Sequence, residues 1–346
     1  MAAVKAGRAR SRELRPASRR LLNLMLLVIA VGVPLLWARA NFIVYDLPGN
    51  LMEPFTDATT YLAAGERLNV GHELYRLEPG DRPVLTLPGF FTAPLLSPPP
   101  IAVAWRPLSA LGTWGWAAWV VAAWIALLGT IVYLVLRVGP PAVLLVFVLS
   151  HPIGEQLAVA NFNAFVPALY VLLWTLRNRP AAGAIVATVA AIKLAPIGFG
   201  GWLLGRRNWR AIAVLAAGLA VLFVVGGLGA GFGSYLEYLG TLPGNRPTAL
   251  SLSGMVGWAP GSYVLLVAGS LASMAIARRK PRLAFGLAVT AVVLGTPALY
   301  ASGLVGLLAL AAPFAGRMRP AETPFIEMDG GRTPAPSDRA APIGTA

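Results

Sequence analysis

The chain has no cysteine and only two histidines, His72 and His151, among its 346 residues. The first absence excludes a disulfide scaffold, thioether haem attachment, iron–sulfur clusters and thiol catalysis; the second leaves no His-rich metal site, so no metal is expected. Charge is scarce as well. Charged residues make up 12% of the chain and hydrophobic ones 57%, with mean hydropathy +0.69. A soluble domain carries about 25% charged residues, and this composition rules out a water-soluble enzyme. No repeat at a regular period is evident. Acids are half as numerous as bases, 14 against 28, for a net charge of +14. An excess of this size suits nucleic acid, but the bases sit in short clusters between apolar runs, where membrane orientation explains them and no nucleic-acid partner is expected.

What is present is uncharged sequence, in runs of 17 to 36 residues. A bilayer span needs about 20. The basic N-terminus, 1–20, precedes a first span at 21–38 that starts in the cytoplasm; a signal peptide is the alternative, disfavoured because the run exceeds the usual h-region length. Further spans are predicted at 114–136, two within 141–176, at 211–228 and 261–277, and two within 283–316. With these, 21 of the 28 Lys and Arg fall inside and 9 of the 14 acids outside, as the positive-inside rule requires.

Two segments must be unusual for this topology to hold. Residues 90–111 contain Pro94, Pro98, Pro99, Pro100 and Pro107 and are read as lying in the outer interface. Residues 181–205 have bases on both flanks and Lys193 in the middle, so a pair of half-length helices with Lys193 and Pro196 at its tip is predicted. The expected fold is all-α and multi-pass, with about eight full spans, the half-helix pair and the interfacial segment. Its membrane domain is 21–316, with outer loops at 39–113 and 229–260. The Pro-, Ala- and Thr-rich tail at 317–346 is expected to be a disordered cytoplasmic segment.

Chemistry-bearing residues concentrate in the first outer loop, which holds seven of the fourteen acids. Most of them read as hydrated loop charges. Asp57 is distinct, because it opens a short amphipathic helix in which Tyr61, four residues on, shares its face; a simple helix cap is the alternative. Lys193 is an intramembrane charge, costing at least about 2.5–3.5 kcal/mol on insertion scales, and such charges are functional by default. A snorkelling lysine, or one paired with Glu155, is the alternative. Glu155, Gln156, Asn161 and Asn163 form a polar turn suited either to sugar hydroxyls or to local backbone bonding. The ten tryptophans read as interfacial anchors.

These residues resemble a known family. The pattern Asp57-x-x-x-Tyr61-x-x-Ala64-x-Glu66-x-Leu68-x-x-Gly71-x-x-x-Tyr75 is similar to the first-loop signature of family 87 glycosyltransferases, the polyprenyl-phosphate-sugar-dependent members of the GT-C superfamily. The Pro-rich stretch from Pro98 to Arg106 and the segment Ile192-Lys193-Leu194-Ala195-Pro196 resemble further family features in the same order. The resemblance implies a GT-C fold and an active site on the outer face of a bacterial inner membrane, with both termini cytoplasmic. Asp57 would be the general base, Lys193, Arg82 and Arg106 would bind the donor phosphate, and Tyr61, Tyr75, Glu155, Gln156, Asn161 and Asn163 would contact sugar or acceptor. It implies a lipid-linked mannose-like or arabinose-like donor as co-substrate without other cofactor, a glycan or glycolipid acceptor, and membrane lipids as surroundings.

The chain departs from the family pattern at three places. It reads Ala160-Asn161-Phe162-Asn163 where Gly-Gln-x-Asn is common, and Thr248 to Gly254 replaces an Asn-Gln-Ser-Leu string. Its last turn, Gly295 to Tyr300, lacks an aspartate or histidine. A secondary transporter and a catalytically inactive scaffold for envelope assembly therefore stand as alternatives. Oligomeric state is not legible in the sequence.

Overall fold

The computed structural model describes residues 16–45, 54–76, 78, 95–242 and 247–315. Every regular element among them is helical. The tail at 317–346, the first fifteen residues and Arg82 lie outside the described residues.

The chain begins with α1 (Pro16–Tyr45), followed by the outer-loop helix α2 (Thr56–Val70) and α3 (Pro99–Ser109). α2 ends where Gly71 adopts φ 83° and returns its N–H to the Arg67 carbonyl, a left-handed stop that glycine enters without steric cost. In α3, Pro99 and Pro100 occupy the first turn, where a missing N–H is not felt. Its 11 residues span about 16 Å, too short to cross a bilayer, and it packs against α2.

α4 (Thr113–Val138) then runs the length of the bundle. α5 (Pro140–Val148) and α6 (Ser150–Val159) meet at a 65° bend. Pro152 accounts for it: its ring has no N–H for the Val148 carbonyl and collides with that group in a continuous helix. After a short 3₁₀ turn, Phe162–Ala164, come α7 (Val166–Thr175) and α8 (Ala181–Ile192).

α8 stops because Pro196 cannot donate to the Ile192 carbonyl, and Lys193 turns to an extended conformation at φ −139°. A 3₁₀ turn at Ala195–Gly198 leads into α9 (Phe199–Gly205) and then α10 (Trp209–Ala230). Gly183 packs against the backbone at Ala211, and Ala187 lies 2.8 Å from a Cβ built on Gly218, so α8 and α10 run side by side in the same direction. At the start of α10, Asn208 donates to the Arg177 carbonyl at 3.2 Å and Arg206 donates to the Asn178 side chain at 2.5 Å. Both ends of 181–205 therefore lie together. The segment is a helix pair that goes in and returns, with Lys193 at its tip.

α11 (Gly233–Thr241), α12 (Leu252–Met255), α13 (Gly261–Ile276), α14 (Pro281–Leu294) and a final 3₁₀ helix, Ala301–Phe314, complete the chain. Arg106 on α3 donates to the Gly229 carbonyl at 3.1 Å, which fixes the far end of α10 at the α2–α3 end of the bundle. The clusters Arg137, Arg177 with Arg179, Arg206 to Arg210 and Arg278 to Arg282 lie at the opposite end. All described acids, namely Asp57, Glu66, Glu73, Glu78, Glu155 and Glu237, lie at the α2 end or close to it.

Among the described residues three helices are long and apolar enough to cross alone, at Leu21–Tyr45, Thr113–Val138 and Trp209–Ala230, and the bent α5–α6 pair makes a fourth if it counts as one span. Apolar segments such as Ala181–Ile192, Gly261–Ile276, Pro281–Leu294 and Ala301–Phe314 have only 10 to 17 residues. The long uncharged runs of the sequence are subdivided by Pro, Gly and paired turns, which hydropathy does not resolve.

Candidate active site

The site is assembled where the start of α2 meets the end of α6. The Phe55 N–H donates to the Ala158 carbonyl at 2.7 Å, and the Phe55 ring lies among Phe42, Trp116 and Trp124. Two further carbonyls at the end of α6 are taken by indoles: Trp119 donates to Ala160 at 2.8 Å and Trp124 to Leu157 at 2.9 Å. These are groups a helix end leaves unpaired, and α4 supplies the donors. The two tryptophans thus brace the site, while Trp114 is 83% exposed, as an interfacial anchor would be.

Beyond Ala160 the chain extends at Asn161. The Asn161 Oδ1 accepts the Asn163 N–H at 2.7 Å, and Gln156 donates to the Asn161 carbonyl at 3.1 Å. With its oxygen occupied, Asn161 presents Nδ2 to Asp57 Oδ2 at 2.7 Å. An amide N–H needs an acceptor, so this contact suits an ionised carboxylate. Asp57 lies in the first turn of α2, one residue beyond Thr56, where a negative charge also favours the helix N-terminus.

Burial pushes the Asp57 carboxyl above the ordinary aspartate range, while the Asn161 hydrogen bond and the positive charge of Lys193 pull the other way. Lys193, 136 residues further along the sequence, lies within electrostatic range of Asp57. Both residues are half-buried.

The remaining predicted residues divide. Glu155 is half-buried, accepts the Ser302 N–H at 3.3 Å at the start of the last helix, and lies within electrostatic range of Asp57. Tyr61 is buried between Trp105 and Trp119; burial, and then the nearby Asp57 charge, raise its phenol pKa. Gln156 is fully buried, with its Oε1 left without a partner, and Asn163 is buried beside it in sequence. Tyr75 is placed elsewhere: its hydroxyl donates to the Ser97 carbonyl at 2.6 Å and its charged or phenolic neighbours are Tyr238, Tyr235 and Glu237. Arg106 is engaged with Asn69 at 3.0 Å and with Gly229, joining α3 to α2 and α10.

Two residues at the site escaped sequence reasoning. Tyr45, at the end of α1, and Tyr300, in the last turn, both lie within electrostatic range of Asp57. The signal for Tyr300 was its place in the turn that lacks the family's acid or histidine; Tyr45 had none.

The Asn161 bond predicts a pH effect. Asn161→Leu removes a donor that favours the carboxylate, so the Asp57 pKa should rise further and the acid limb of the rate profile should move to higher pH. Initial rates across pH measure this; an unmoved limb would show that the bond is not made to the ionised group.

The described residues make an all-helical, apolar bundle in which Asp57 and Lys193 lie within electrostatic range of one another, the architecture of a multi-pass membrane protein. The model of glycosyltransferase family 87 matches residues 96–321, about two thirds of the sequence, and the chain belongs to that family. It is a membrane glycosyltransferase. The matched stretch contains Glu155, Asn161 and Lys193 and begins after α2, so Asp57 enters the site on geometry alone. No curated protein and no solved structure matches the chain.

Proposed function

We propose that the protein transfers a mannose-like or arabinose-like sugar from a polyprenyl-phosphate donor to an envelope glycan or glycolipid, with inversion. The observation that carries this reading is Asp57, which accepts the Asn161 Nδ2–H at 2.7 Å and lies within electrostatic range of Lys193. A polyprenyl phosphate is already a good leaving group, so no acid is required to protonate it. Asp57 takes the proton of the acceptor hydroxyl as that oxygen attacks the anomeric carbon. The bond to the donor phosphate breaks on the opposite face, and the Lys193 ammonium balances the charge left on the phosphate. In this reading Asn161 and Glu155, beside Asp57, contact sugar hydroxyls. The segregation of bases and acids to opposite ends supports a site facing outward from a bacterial inner membrane, by the positive-inside rule.

Purified protein in detergent should convert a polyprenyl-phosphate mannose or arabinose into a glycoside of inverted anomeric configuration, read by NMR of the product. A transporter would bind the donor and form no bond. In cells, an impermeant thiol reagent should label His72→Cys and spare Arg279→Cys. The reverse pattern would place the site on the inner face.

A further inference from the structure

The end of the bundle opposite Asp57 carries a second arrangement that glycosyl transfer does not use. Trp174 on α7 and Trp202 on α9 stack with ring centroids 6.5 Å apart at 29°. The Arg177 guanidinium lies 4.4 Å over Trp174, and that of Arg206 lies 5.2 Å over Trp202. The two arginines are close enough to repel one another. Arg177 is tethered to the Trp174 carbonyl at 2.9 Å and Arg206 to Asn178, yet the Arg206 Nε is buried with no hydrogen-bond partner. Next to Arg206, Gly205 packs against the Met274 backbone, and a pocket lined by Gly205, Ala275, Arg278 and Arg279 opens there. The Arg278 and Arg279 side chains are exposed and make no hydrogen bond or ion pair among the described residues. No described acid lies at this end.

Like charges held on aromatic platforms, with a buried donor left over, are costly unless something anionic completes them. We infer that this pocket binds the phosphate of an anionic phospholipid headgroup. A phosphodiester offers acceptor oxygens for the guanidinium forks of Arg278 and Arg279, which line the pocket, and one negative charge to offset the neighbouring Arg206 and Arg177. Its source is the bilayer, because Leu204, Trp209 and Leu283 around the patch are exposed apolar side chains suited to acyl chains and the interface. Orientation by positive charge alone requires neither stacked arginines nor a pocket.

The test uses the full-length protein in mild detergent, with phosphatidylglycerol, phosphatidylcholine and inorganic phosphate as probes, read by native mass spectrometry and unfolding temperature. Phosphatidylglycerol should be retained and should stabilise the protein, and the other two should not. Arg278→Gln with Arg279→Gln should weaken retention roughly thirtyfold, the factor two interfacial charges supply. Arg137→Gln, at the same end but outside the pocket, should leave it unchanged. Equal retention of phosphatidylcholine, equal stabilisation by inorganic phosphate, or an Arg137→Gln effect as large as the pocket variants would each overturn the assignment.

Discussion

Asp57→Asn should lower transfer from a polyprenyl-phosphate sugar at least about a hundredfold, the low end of what a general base contributes. The substitution isolates proton acceptance. The asparagine oxygen still accepts from Asn161 Nδ2, and the side chain keeps its size at the start of α2, so the contact seen at 2.7 Å survives. Replacing a buried carboxylate with a neutral amide also removes a desolvation cost, so the variant should fold and insert normally. Initial rates with radiolabelled donor measure the loss. Near-normal turnover would remove Asp57 from the mechanism.

Lys193→Met should depress turnover about a hundred- to a thousandfold, as loss of a single charge-stabilising group does elsewhere. Two further effects separate a phosphate role from a structural one. The positive charge of Lys193 lowers the Asp57 pKa, so its removal should move the acid limb of the rate profile to higher pH. The protein should also remain folded, since Asp57 keeps its Asn161 hydrogen bond and can take up a proton, while an apolar chain of similar length replaces a charge that is costly to hold at depth. If Lys193 served instead as the partner of Glu155, the substitution would strand a carboxylate and destabilise the fold by several kcal/mol, on the order measured for broken buried pairs. Adding Glu155→Gln would then restore it. Glu155 already accepts the Ser302 N–H at 3.3 Å, and Lys193 lies within electrostatic range of Asp57. Thermal stability and transfer measured on the two single variants and the double decide the matter; rescue of both by the double change would end the phosphate role.

How far the site was legible follows from the range of each signal. Asp57 stood out because α2 is a local, amphipathic helix with the acid at its first turn, and Lys193 because a charge inside an apolar run has no cheap explanation. Asn161 was visible only as one of four polar residues in a turn. Its role depends on a hydrogen bond spanning 104 residues, and no periodicity carries such information. Tyr75 and Arg106 show the converse. Both belong to motifs read as functional, yet their side chains fasten the loop at Ser97 and the end of α10, tasks that exist only once those elements are neighbours.

By itself the sequence determined that the chain is helical, apolar and sided in charge, because hydropathy and basic clusters act locally, residue by residue along the chain. It also determined that 181–205 must break, since Pro196 has no N–H to offer in any context. Tertiary structure alone decided the rest. The apolar runs divide into short helices, because close Gly contacts such as Gly183 on α10 and Gly154 on α1 set how segments stack. Asp57 meets Asn161 and Lys193 because the Phe55 N–H docks α2 on the end of α6, a single backbone bond between segments a hundred residues apart. Contacts of that kind arise from shape and hydrogen-bond satisfaction in three dimensions, and linear patterning does not encode them in readable form.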